Sequence, residues 1–119
     1  MKKYKQILIV GRDTNFINEL TNYLLAAGYN NIESFDSYQS AITRLKQNSF
    51  DIVLMDIFTP EMKELKYAHK IRSLKPKINI FLMIEPEHQE MINKGILRED
   101  KFKCVFKLYI KECLLESFQ

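Results

Sequence analysis

Two short stretches, Ile7-Leu8-Ile9-Val10 and Asp51-Ile52-Val53-Leu54-Met55, are apolar at consecutive rather than alternate positions. A strand of that kind is buried on both faces, which in a small protein requires helices on both sides of a parallel sheet. The runs predict strands at Gln6–Val10 and Asp51–Met55, and a third at Ile78–Ile84, rich in branched and aromatic residues. Weaker strand patterns lie at Asn31–Phe35 and Lys103–Lys107.

Helical periodicity fills the intervals. Phe16, Leu20, Leu24 and Ala27 form one stripe, with Gly28 as its stop. Tyr38, Ala41, Ile42 and Leu45 form a second, capped by Asp36 or Ser37. Pro60 suits the first turn of a third helix that turns Leu65, Ala68 and Ile71 inward and ends before Pro76. A less regular fourth is expected around Glu87–Leu97, and a fifth from about Tyr109 to Phe118 with Ile110, Leu114 and Phe118 on one side. Five β-α units give a single doubly wound α/β sandwich over residues 1–119, with a parallel five-stranded sheet in the flavodoxin-like order 2-1-3-4-5. Ligands of such sheets bind at the carboxyl ends of the strands, beside the switch point between strands 1 and 3. That rule selects Gly11-Arg12-Asp13 after strand 1 and Asp56 after strand 3.

Composition narrows the class. At 119 residues with 46% apolar content and no low-complexity tract, the chain reads as one globular domain. A net charge of +3 is too small to argue for nucleic acid. The four-residue apolar run near the amino terminus is too short for a signal peptide, and no stretch reaches transmembrane length, so a cytoplasmic location is expected. Cys104 and Cys113 lack metal-ligand spacing and His69 and His88 stand far apart, which argues against structural zinc and for two reduced, mostly buried thiols.

The segment Asp51-Ile-Val-Leu-Met-Asp56-Ile-Phe-Thr-Pro60 resembles the part of a bacterial response regulator receiver domain, the CheY-like fold, where an aspartate after strand 3 accepts a phosphoryl group and a proline follows four residues on. The segment from Cys104 to Phe118 resembles the family's strand 5, its lysine (here Lys107) and helix 5. The resemblance runs across essentially the whole chain. It implies Asp56 as the phosphoacceptor position and Lys107 as the phosphate and switch lysine.

Other family positions have changed. The two acids that hold Mg²⁺ after strand 1 are Gly11 and Arg12, with Asp13 as a possible substitute one residue on. The switch hydroxyl at the end of strand 4 is Ile84, the switch aromatic three before the lysine is Cys104, the proline after the lysine is Leu108, and an Asp-Gly pair before helix 3 is Lys63-Glu64. Phe102 or Phe106 could supply the aromatic after a register shift, or both are core residues. At the matched pocket positions, Arg12 and Lys107 against Asp56 leave a sum of +1, a poor setting for a divalent cation. Arg12 either forks onto Asp56 in the metal's place or turns to solvent.

The implied function is that of a receiver in a two-component phosphorelay, in a degenerate form that signals by protein interaction without phosphate. It is no enzyme beyond self-phosphorylation on Asp56, and it needs no cofactor. The alternative is a conventional receiver phosphorylated on Asp56 with Mg²⁺. A flavodoxin-like nucleotide or flavin binder is a more remote reading, since the chain has no Gly-x-Gly-x-x-Gly after strand 1 and no P-loop. Expected partners are proteins: a sensor histidine kinase, an output domain or another signalling protein, with a homodimer possible through helix 4, strand 5 and helix 5. Neither nucleic acid nor membrane is an expected partner. Residues 60–77 carry a local +4 and residues 85–100 a local −3, and Lys63, Lys66 and Lys70 share one face, either solvated or a docking surface. The 119 residues fit either a complete protein or a receiver cut from a longer chain.

Overall fold

In the computed structural model, which describes residues 4–95 and 101–118, five parallel strands stand in the order β2-β1-β3-β4-β5. They are β1 (Ile7–Val10), β2 (Ile32–Phe35), β3 (Ile52–Asp56), β4 (Asn79–Ile84) and β5 (Lys103–Phe106). The continuous apolar runs are central: all of β1 and β3 is buried, with Ile7 opposite Ile52 and Val10 opposite Met55. Side-chain alternation divides the core in two. Leu8, Val10, Val53, Met55, Leu82 and Ile84 face α2 (Tyr38–Gln47) and α3 (Leu65–Leu74). Ile7, Ile9, Leu54, Phe81 and Met83 face α1 (Thr14–Ala26) and α5 (Ile110–Ser117). The even-numbered residues of β3 lie on the α1/α5 side, and Asp56 follows that parity to the sheet's carboxyl end.

Local chemistry sets the helix ends. The Asp13 carboxylate accepts from the Phe16 amide at 3.1 Å and caps α1, and Ser37 rather than Asp36 caps α2 through the Ser40 amide at 3.2 Å. Gly28, at φ 100°, takes the left-handed conformation that ends α1. The inward stripe of α1 is Ile17, Leu20 and Leu24, with Phe16 only partly buried at its edge.

Three expectations are corrected. Pro60 is not in α3. The chain first makes a turn closed by the Met62 amide on the Thr59 carbonyl, with Met62 at φ 57°, and the helix starts at Leu65. Lys63 therefore precedes the helix, and only Lys66 and Lys70 share its face. The described part of helix 4 is short, α4 (Gln89–Asn93) after a 3₁₀ turn at Pro86–His88, and its expected end at Leu97 lies outside the described residues, as do the charges at Arg98, Glu99 and Asp100. Cys104 and Cys113 are both exposed. Cys104 lies on the edge strand β5, and Cys113 falls outside the inward Ile110-Leu114-Phe118 stripe of α5. Among the described residues no helix is long and apolar enough to cross a membrane.

Candidate functional site

Asp56 is the last residue of β3 and is 0% exposed. Lys107, the first residue after β5, brings its ammonium into an ion pair with Asp56 Oδ1. The same ammonium lies 5.2 Å from the centre of the Phe16 ring, so α1 and β5 close on the carboxylate together. Apart from the Lys107 contact on Oδ1, neither oxygen of Asp56 has a hydrogen-bond partner among the described residues. Burial raises the Asp56 pKa above its ordinary value, and the Lys107 ion pair opposes that shift without cancelling it.

Gly11 forms the other wall. A Cβ placed there would stand 2.6 Å from Asp56 Cβ, 3.0 Å from Ile17 Cδ1 and 3.2 Å from Asp56 Oδ2. The end of β1 thus lies against Asp56 at a separation only glycine permits. Behind the strand, the buried Tyr38 hydroxyl donates to the Asp56 carbonyl at 2.7 Å, and its ring stacks on Tyr67 at 5.1 Å. Burial, with Asp56 and Glu64 nearby, pushes the Tyr38 phenol above its usual range.

The structure thus brings Gly11, Asp56 and Lys107 together and places the other matched residues elsewhere. Arg12 is exposed and, among the described residues, makes neither an ion pair nor a hydrogen bond with Asp56. The cation on Asp56 is Lys107. Asp13 is exposed and spends a carboxylate oxygen on the α1 cap, although its charge still contributes to raising the Asp56 pKa. Ile84 is buried on the opposite face of the sheet, and Phe102 and Phe106 pack in that same core. Cys104 pairs with Leu82 in the ladder and is exposed. Lys63, Lys66 and Lys70 are all exposed.

A polar cluster that the sequence reading missed fixes the neighbouring loops. Glu64, nearly buried, accepts from the Thr59 amide and hydroxyl, both at 2.9 Å, and the Thr59 hydroxyl accepts from the Lys63 amide at 2.8 Å. The fully buried His88 accepts from the Glu85 amide through Nδ1 at 2.9 Å, so Nε2 carries the hydrogen and donates to the Thr59 carbonyl at 3.0 Å. The loops after β3 and β4 are therefore tied through one neutral imidazole. The five-residue spacing of Thr59 and Glu64 is a weak sequence signal for the loop, and nothing local marks His88. Above the closed corner, Phe58 is 54% and Leu108 75% exposed, on the loops that follow Asp56 and Lys107. Among the described residues no three His, Cys, Asp or Glu side chains gather as a metal site.

An aspartate and a lysine meeting at the carboxyl ends of β3 and β5, in this strand order, match the pattern expected from the resemblance. The family model of the response regulator receiver domain matches residues 7–119. The chain belongs to that family. As a receiver it is similar to the response regulator receiver protein CpdR of Brucella abortus (strain 2308), at 32% identity over 79 residues, covering 66% of this chain. The match covers 65% of that relative's length, a little under two thirds. Among solved structures the receiver superposes on the chemotaxis protein CheY4 of Vibrio cholerae with a TM-score of 0.74 at 20% identity, covering 98% of this chain and 97% of that one. The signal receiver domain of an HD domain-containing protein from Pseudomonas fluorescens Pf-5 gives 0.80 at 18% identity, with 97% and 84% covered. An uncharacterized protein from Neptuniibacter caesariensis gives 0.82 at 21%, with 96% and 85% covered. These structural likenesses concern the fold. The family match makes the chain a receiver domain of a two-component system.

Proposed function

We propose that this receiver signals as a protein-interaction module, without Mg²⁺-dependent phosphorylation of Asp56. The observation that carries this reading is the closed corner, where Gly11 lies against Asp56 and Lys107 holds its carboxylate. Mg²⁺ takes near-octahedral oxygen ligands and is bound through one or two carboxylates plus waters. Here the matched pair offers no carboxylate, Asp13 caps a helix, and the remaining acid already has a cation. The residues do not fit the metal. The output side supports the same reading: Ile84 is buried in the other core, turned away from Asp56, and Cys104 is too small to follow a phosphoryl group inward.

The partners under this reading are proteins, namely a sensor kinase, an output domain or a second copy across α4, β5 and α5, in the cytoplasm. The exposed Phe58 and Leu108 and the lysines at 63, 66 and 70 are the candidate contacts, and no catalysis is assigned to the domain. A conventional receiver is the competing reading, favoured by the intact Asp56–Lys107 pair. Titrating millimolar Mg²⁺ while following the amide resonances of Gly11, Ile57 and Lys107 separates the two. Unshifted resonances are expected, and a saturable shift at these three positions would refute the metal-independent reading.

A further inference from the structure

At the end of the sheet opposite Asp56, a groove of about 460 Å³ opens between the start of β1 and the turn from α3 into β4. Lys5, Lys75 and Lys77 line it, over a floor that includes Phe50 and Ile78. Among the described residues none of these three lysines is ion-paired. The acid in the groove, Asp51, spends Oδ2 on the Gln6 amide at 2.8 Å. Asp51 also accepts the Asn79 amide through its carbonyl at 3.1 Å, joining the amino ends of β1, β3 and β4.

The turn that carries Lys75 and Lys77 is held from inside. The Arg72 guanidinium donates to the carbonyls of Lys75, Pro76 and Ile78 at 3.3, 3.0 and 2.6 Å, and to that of Lys101 at 2.6 Å. Three carbonyls of the turn that follows α3 are thus held by a cation, and Lys75 and Lys77 from the same turn line the groove. Along α3, Lys66, Lys70 and Leu74, the last 38% exposed, follow at four-residue steps toward the same end.

We infer that this groove docks an acidic peptide segment of a partner protein, an extended run of carboxylates with one apolar side chain resting on the Phe50–Ile78 floor. Charge complementarity selects the carboxylates, and the apolar floor selects the anchor. The lysines alone would accept phosphate as readily as carboxylate, and the apolar Phe50 and Ile78 beside them favour a peptide with an apolar anchor over a nucleotide or nucleic acid.

The test uses the full chain and a fluorescein-labelled peptide Glu-Glu-Asp-Leu-Asp-Glu-Glu, with binding read by fluorescence anisotropy. Saturable binding is expected, weakened about tenfold in the triple variant K5A/K75A/K77A. The triple variant K94A/K103A/K111A, which removes the same charge from the α4, β5 and α5 side, should bind like the parent. Amide shifts on peptide addition should centre on Lys5, Phe50, Lys77 and Asn79. Equal loss in both variants, shifts centred on Phe58 and Leu108, no binding, or preference for a labelled single-stranded oligonucleotide each overturns the assignment. Phosphorylation at Asp56 would refute the reading of the acid corner and leave this groove standing, and absence of peptide binding by the parent chain would do the reverse.

Discussion

Gly11 and Asp56 decide the state of the acid corner. With the Cβ of any other residue at 11 falling 2.6 Å from Asp56 Cβ, Gly11→Ala forces β1 and β3 apart. The expected cost is about 1–3 kcal/mol, the range for overpacking a core, read from urea denaturation. An unchanged midpoint would show that the strands yield freely. Putting aspartates back at 11 and 12 meets the same obstacle, so the double variant should lose stability before it gains a metal. Asp56 makes a second prediction. Its folded pKa lies above the ordinary 3.8, so the folded state holds the proton more tightly than the unfolded chain. Stability from this group is full below the unfolded value and is lost as pH rises through the folded one. Asp56→Asn removes that titration, so the variant's melting temperature relative to the parent should climb as pH goes from about 4 to 7. A flat or falling difference contradicts a raised pKa.

Secondary-structure elements were legible in the sequence wherever a pattern is local. The two-sided strands, a cap at Asp36 or Ser37 and the Gly28 stop follow from residues a few positions apart, and the structure has them, with Ser37 as the cap. The start of α3 was not, because Glu64 folds the preceding loop back onto Thr59 and overrides the helix-starting preference of Pro60. Nor was His88, whose partners lie on two different loops and become neighbours only in the folded sheet. His88→Leu leaves the Glu85 amide and the Thr59 carbonyl without their partner, at about 1–3 kcal/mol each. Hydrogen exchange should quicken at Glu85 and through the 59–64 loop, and unchanged exchange there would deny the imidazole its tying role. Asp13→Ala should cost about 1 kcal/mol of stability through the lost α1 cap. The same variant should leave the response to Mg²⁺ as it was, whereas a loss of Mg²⁺ binding would mark Asp13 as a ligand.

At the scale of the molecule, strand order and the switch point select Gly11-Arg12-Asp13 and Asp56 at one end of the sheet, and Lys107 enters only through the resemblance. The resemblance then named the positions around them. What sequence could not decide was the rotation of Arg12, an exposed side chain free to take either course, and the closeness of Gly11 to Asp56, which depends on how β1 and β3 pair. Both bear on the central claim, that the receiver's acid corner is closed and works without phosphate. The most direct measurement is the intact mass of the parent and of Asp56→Asn after incubation with Mg²⁺ and acetyl phosphate. Unchanged masses in both are predicted; a gain of one phosphoryl group in the parent alone would contradict the account.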